Sequence, residues 1–421
     1  MIEIKLMENI DATIRVPGSK SYTQRAMIIA ALAEGESRLR DILLSEDTLL
    51  LAEALRGLGA KIRLEKEEMV VTGTGGRIAA PPHKIRLGNN GTAMRLLAGV
   101  ASLGRDPIVL TGDTRLCQRP MKPLLDALVS LGADVRTEDG RGYPPVTIRG
   151  GGLTGGRVVL RDIGSSQYVS SLLIAAPFAA NKTVIELAGK IPSLPYITLT
   201  VETMGSFGVE VAADGTTYTV MNGQRYKGRD YRVEGDVSSA SYFFLAAALL
   251  KGRVRVENID PGTRQGDIGI LAILERLGCT VRRGEHWAEV TGGEPPGGEM
   301  FFDLGAMPDM VPTLAVLASV RPGKTLVRNV AHLRLKESDR LAALVAELKK
   351  TGIEAQETAD GLAIDGGRPR GAEIETYNDH RIAMAFAILG LVVPGMTIKN
   401  KACVGKSFPG FWKILEGLHG R

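Results

Sequence analysis

The feature that most restricts what this chain can fold into is a repeat of about 70 residues. A short polar stretch that opens an apolar run occurs six times. With Ser19, Gly91, Ser166, Ser239, Asp309 and Asp379 as markers, the steps are 72, 75, 73, 70 and 70 residues. A second marker keeps the same beat, a helix-ending glycine followed by a hydrophobic residue, at Gly59, Gly132, Gly208, Gly278 and Gly352. A strand-like stretch after each ends at another glycine, Gly73, Gly150, Gly223, Gly292 and Gly366, which lies 14, 18, 15, 14 and 14 residues further on. Each repeat therefore reads strand, polar-tipped helix, strand, second helix, strand, turn, strand, a βαβαββ unit of a mixed α/β fold. Such a unit is too long and too mixed for a solenoid and cannot bury its own apolar face, so the units must pack in groups. A chain of 421 residues exceeds what one core usually holds, and two domains of about 200 residues with three repeats each are expected.

The polar tips carry the chemistry. In the first, Pro17 and Gly18 break a strand, serines stand ready to cap free amides, and Lys20 and Arg25 fall at the start of the helix. A helix N-terminus prefers negative charge, so cations there are costly unless an anion sits in front of them. Amide donors, hydroxyls, Lys and Arg together make a phosphate cradle. The alternative for any one copy is a capped core helix with its basic residues in solvent; six copies argue for the cradle.

Composition narrows the partners. A net charge of +5 without a basic run or interleaved aromatics points to small acidic molecules rather than a nucleic-acid track. Cys117, Cys279 and Cys403 are too few for a disulfide framework, and the histidines at 83, 286, 332, 380 and 419 lack ligand spacing, so neither metal nor cofactor is expected. The N-terminus alternates like a strand rather than a signal peptide, and the apolar stretch 382–396 is too short and too broken to span a membrane; a cytoplasmic protein is expected. Residues 150–155 match the letters of a dinucleotide glycine fingerprint, but Arg157 to Leu160 read as a strand where a helix is required, so this is a turn.

Three loops concentrate further charge. Arg119 precedes Pro120 between a strand and a helix. Lys336 and Arg340 are expected on one helical face, with Glu337 and Asp339 as the nearby carboxylates, and Lys406 stands in a tight loop near the C-terminus. Alone, Arg119 reads better as a solvent-facing arginine and the 336–340 run better as a salt-bridged first turn on the surface, while Lys406 reads equally well as a solvated turn.

Ten motifs in order, PGSKSYTQRA, LGNNGTAMR, QRPM, GSSQ, SLPY, EGDVSSASY, MPD, RLKESDR, YNDHRIAM and GKSFPGF, give the chain a resemblance, nearly end to end, to the 5-enolpyruvylshikimate-3-phosphate synthases. The resemblance implies a two-domain inverse α/β barrel with its active site in the interdomain cleft, one domain being 14–231 and the other 1–13 with 232–421. It implies that shikimate 3-phosphate meets Lys20, Ser21, Arg25, Ser165, Ser166, Gln167, Ser193, Tyr196, Asp309 and Lys336, and phosphoenolpyruvate meets Lys20, Gly91, Arg119, Gln167, Arg340, Arg381 and Lys406. It implies a tetrahedral intermediate formed by addition and lost by elimination, with Glu337 moving the proton at the methyl carbon, Asp309 taking the hydroxyl proton and Lys20 assisting the phosphate. A monomer that closes on shikimate 3-phosphate is expected.

The chain departs from the family pattern at His332, where many relatives place asparagine, at Asn90 for a small residue, and at Leu96 for a proline. One rival reading is the enolpyruvyl transferase of cell-wall synthesis. Against it, Ser21 follows the lysine where that family tends to have asparagine, and Cys117 lies too near Arg119. The other is a non-catalytic anion- or RNA-end-binding protein, which would have little use for Asp309 and Glu337 together.

Overall fold

The computed structural model describes residues 1–65 and 68–418; His419 lies outside them. The chain divides into two compact units, Gly18–Val233 and a terminal unit made of Met1–Pro17 with Glu234–Arg421. The joints fall at 17/18 and 233/234, a few residues beyond the 13/14 and 231/232 expected from the resemblance.

Each unit is organised around three buried helices that follow the polar tips. In the 18–233 unit these are α1 (Lys20–Leu32), α2 (Gly91–Ala101) and α3 (Gln167–Ala175). In the terminal unit they are α4 (Val237–Leu250), α5 (Val311–Val320) and α6 (His380–Leu389). Every residue of α1 from Tyr22 to Leu32 is buried, and α6 is buried throughout. A helix apolar on all sides can only be a core helix, and the amphipathic second helix of each repeat, such as Lys122–Ser130, covers the outside.

Around these helices, the described residues form five four-stranded sheets of one pattern and one three-stranded sheet. In the 18–233 unit, Gly156–Arg161 runs parallel to Thr183–Ala188, which is antiparallel to Thr217–Val220, and Val211–Asp214 forms the far edge. Val158 and Leu160 face the core while Arg157, Val159 and Arg161 are exposed, the period-two alternation of a strand with one wet face. This strand also settles the glycine-rich run before it as a turn.

Two strands trade places, which the repeat alone does not reveal. Asp11–Ile14 precedes α1 in the chain but pairs parallel with Arg253–Val256 of the terminal unit. Asp230–Arg232 precedes α4 but pairs parallel with Glu36–Arg40 of the other. The sixth repeat is shortened: Glu373–Ile374 and Thr397–Ile398 are completed by the N-terminal strand Ile2–Glu3, and the last element among the described residues is the helix Phe411–Gly417 instead of a hairpin.

Both glycine markers have a steric cause. Gly59, Gly132, Gly208, Gly278 and Gly352 all have φ between +83° and +106°, the left-handed conformation that ends a helix most cheaply without a side chain. Four of the second set lie against the last turn of a core helix. A Cβ on Gly73 would stand 2.2 Å from the Ala33 carbonyl oxygen, and one on Gly366 would stand 1.8 Å from that of Arg321.

Candidate functional site

In the 18–233 unit the chemistry sits on the N-terminal turns of α1, α2 and α3. Arg25, in the second turn of α1, is 1% exposed. Its guanidinium donates to Thr200 Oγ1 at 2.7 Å, to the Ser21 carbonyl at 3.1 Å, to Ser170 Oγ at 3.3 Å and to the Tyr196 carbonyl at 3.4 Å. The Tyr196 ring centre lies 6.0 Å from its Cζ. All these partners are neutral, and burial lowers its pKa to about 10. A desolvated cation whose lone-pair partners carry no charge is well suited to an incoming anion. Lys20 at the head of α1 pairs with Asp47 at 3.2 Å. Contrary to expectation, Ser19 makes no side-chain cap on α1, and none is made by Ser166 on α3.

Arg119 is placed by Gly91. A Cβ there would fall 2.5 Å from the Arg119 Cζ, so only glycine lets the guanidinium rest on the first residue of α2. Arg119 also reaches the backbone and side-chain oxygens of Asn89, both at 3.4 Å. Asn90 caps α2 by accepting from the Ala93 amide at 2.9 Å and donates to the Asp47 carbonyl at 2.9 Å, which ties α2 to the partner of Lys20. Leu96 is fully buried core. Gln167 at the head of α3 accepts from Arg95 at 3.0 Å and donates to Thr92 Oγ1 at 2.9 Å. Ser165 Oγ accepts from the Gln167 amide at 3.3 Å, and Ser193 holds a left-handed φ of +59° just before the helix that carries Tyr196.

The terminal unit joins its residues through two arginines. Arg340, 1% exposed, donates to Asp379 at 2.9 Å, to Glu337 at 2.9 Å and to Asp309 at 3.0 Å. Arg381 donates to the other Asp309 oxygen at 2.7 Å, to Tyr242 Oη at 3.4 Å and to Ser238 Oγ at 3.4 Å. Burial alone would raise the Asp309 pKa, but Arg381, then Lys336 and Arg340, outweigh it and hold this carboxylate well below its usual range. Burial opposes the charge of both arginines, yet Asp379, Glu337 and Asp309 raise Arg340, and Asp309 above all raises Arg381. Asp379 caps α6 by accepting from the Arg381 amide at 3.0 Å.

Lys336 and Arg340 do not share a helical face. The segment Ala331–Leu335 is a 3-10 turn, Lys336 is extended, and the helix Arg340–Lys350 begins only after Asp339, which caps it through the Ala342 amide. The carboxyl-rich sequence favours capping over an early helix start. Lys406 closes the 3-10 segment Lys401–Lys406 and is buried, not solvated. At His332, burial first, then Lys336, lowers the pKa to about 3, so its ring is neutral near pH 7.

Reasoning from the sequence passed over Arg95, Asp379 and Ser238. Arg95 had the same signal as Arg25, a cation near a helix N-terminus, while Asp379 resembled an ordinary cap. Among the described residues no group of three or more His, Cys, Asp or Glu could hold a metal ion, and no helix is long and apolar enough to cross a membrane.

Six βαβαββ-derived sheets with cations and carboxylates on the N-terminal turns of buried helices define a repeat-built α/β protein equipped for multiply charged anions. The profile of the family described as EPSP synthase (3-phosphoshikimate 1-carboxyvinyltransferase) matches residues 4–415, and the chain belongs to that family. It is 41% identical over 423 residues to the 3-phosphoshikimate 1-carboxyvinyltransferase of Nostoc punctiforme, covering 99% of both chains. It is 43% identical over 404 residues to that of Methanothermobacter thermautotrophicus, covering 96% of this chain and 94% of the relative. An EPSP synthase structure from Acinetobacter baumannii superposes with a TM-score of 0.82 at 30% identity, covering 99% of this chain and 97% of that one.

Proposed function

We propose that the protein transfers the enolpyruvyl group of phosphoenolpyruvate to the 5-hydroxyl of shikimate 3-phosphate, releasing phosphate, on the route to the aromatic amino acids. Family membership and relatives above 40% identity support the reaction. The observation that carries the chemistry is the Asp309 carboxylate gripped by Arg340 and Arg381, with Glu337 on the same Arg340.

In this reading Lys20, Ser21, Arg25, Ser165, Ser166, Gln167, Ser193, Tyr196, Asp309 and Lys336 bind shikimate 3-phosphate. Lys20, Gly91, Arg119, Gln167, Arg340, Arg381 and Lys406 receive phosphoenolpyruvate. The 5-hydroxyl oxygen bonds to C2 of the enolpyruvyl group while Glu337, protonated from solvent once the incoming anion has drawn Arg340 away, delivers a proton to C3. The C2–O bond to phosphate then breaks, and the methyl carbon returns a proton to Glu337. Asp309 in its doubly paired state is too weak a base to accept the hydroxyl proton. An anion that draws Arg340 and Arg381 towards itself frees this carboxylate and raises its basicity, so substrate binding switches the base on. Lys20 stabilises the departing phosphate. Proton transfer and charge stabilisation both come from side chains, so the reaction runs without metal or cofactor, in a cytoplasmic monomer that needs neither nucleic acid nor membrane.

Phosphate release from phosphoenolpyruvate tests this, with chelator present and with shikimate 3-phosphate or UDP-N-acetylglucosamine as acceptor. Release only with shikimate 3-phosphate is expected. Release only with the nucleotide sugar would move the chain to the cell-wall reaction, and none with either would sink the transferase reading.

A further inference from the structure

Asp267 lies in the one-turn 3-10 segment Gly266–Gly269, and its side chain is buried. Its Oδ2 accepts the hydroxyl hydrogen of Ser238, in the first turn of α4. The same hydroxyl oxygen accepts from Arg381, 3.4 Å away. The Arg381 guanidinium is therefore shared by two carboxylates, Asp309 in direct contact at 2.7 Å and Asp267 across one hydroxyl. The charged and titratable groups facing Asp267 include Asp309 before α5, Arg381 on α6 and Asp236 at the N-cap of α4. Tyr242 of α4 accepts from the same Arg381 at 3.4 Å.

We infer that Asp267 is a positioning residue that acts on Arg381 through the Ser238 hydroxyl. Ionised, it draws on the charge of the guanidinium; protonated, it leaves that charge to the incoming phosphoenolpyruvate. The inference rests on the reading that Arg381 receives that substrate. Burial first, and Asp309 next, push the Asp267 carboxyl up to about 7 against the pull of Arg381 and the Ser238 hydrogen bond, with Asp236 adding to the rise. Its charge thus changes within the working range of a neutral-pH enzyme, where a surface aspartate would long be ionised. Only a proton from solvent is exchanged.

The test is the Michaelis constant of each substrate from about pH 5.5 to 8.5 in wild type, Asp267→Asn and Ser238→Ala. The phosphate group of phosphoenolpyruvate titrates alike in all three, so the ratio of wild type to variant isolates Asp267. That ratio is expected to rise about three- to tenfold for phosphoenolpyruvate as the pH passes 7 in Asp267→Asn, and less in Ser238→Ala, with the constant for shikimate 3-phosphate unmoved. A purely structural role would shift both constants at every pH. Should Asp267→Asn fail to fold, Ser238→Ala keeps the carboxylate and cuts the relay, and carries the test alone. An active wild type whose pH profile neither folded variant alters would overturn this inference and leave the proposed reaction standing. A wild type inactive on phosphoenolpyruvate overturns both.

Discussion

Arg25 of the 18–233 unit is held by two hydroxyls and two backbone carbonyls, whereas Arg340 of the terminal unit is held by three carboxylates. Both are 1% exposed, so the difference is not one of burial. Neutral partners orient a guanidinium while leaving its charge uncompensated, which suits a group that waits for an anion. Carboxylates compensate the charge and gain low proton affinity in return, which suits a cluster where protons must be held and released on demand. One unit stores attraction and the other stores protonation states.

The comparison can be broken most decisively at Glu337. Its conversion to glutamine keeps an acceptor for Arg340 but removes the proton, and kcat is expected to fall about 10²- to 10⁴-fold while the melting temperature holds. A full-rate variant would remove the proton-handling half of the comparison. Next comes the contrast itself, measured by urea unfolding of two matched variants. Arg340→Met takes the shared cation from three carboxylates, of which Asp309 keeps a second arginine, Arg381, and is expected to cost about 3–5 kcal/mol, while Arg25→Met leaves only neutral groups and is expected to stay within about 1 kcal/mol of wild type. The second variant instead loses affinity for shikimate 3-phosphate, with a Michaelis constant at least about tenfold higher. Equal stability losses would show that the two arginines are not held differently after all.

Gly91→Ala sharpens the picture inside the 18–233 unit. The added methyl collides with Arg119, so the Michaelis constant for phosphoenolpyruvate is expected to rise about tenfold, with that for shikimate 3-phosphate nearly unchanged. The smallest effect concerns His332. Its pKa falls from 6.5 to about 3 on folding, so between those values the unfolded chain binds a proton that the native one does not. Stability from this group is complete above pH 6.5 and declines as the pH drops towards 3. The variant His332→Asn should therefore lose about 1–2 kcal/mol less than wild type between neutral pH and pH 5 in acid-unfolding titrations.

The six-beat period, the βαβαββ order and the glycine stops were legible because each follows from local rules: helix ends need a left-handed residue, and a strand end that presses on a helix carbonyl has no room for a Cβ. The cation-bearing helix tips were legible for the same reason, since a lysine or arginine at a helix N-terminus conflicts with the dipole wherever it occurs. The exchange of Asp11–Ile14 and Asp230–Arg232 between sheets was not read from the repeat, because strand pairing depends on partners 192 and 242 residues away and leaves no local trace. The start of the helix at Arg340 did leave a local trace, the N-cap Asp339, which overrode the helix-compatible spacing of Lys336 and Arg340.

By itself, then, the sequence determined the repeat, the elements and the residue types available for anion chemistry, all of which depend on neighbours within a turn or two. Only the tertiary structure decided that Arg340 gathers Asp309, Glu337 and Asp379, that Gly91 makes room for Arg119, and that Asp267 reaches Arg381 through Ser238. Apart from Arg340 with Glu337, three residues away, those pairings join segments tens of residues or more apart, and their charges take their values from burial and from one another, quantities that exist only once the chain has packed.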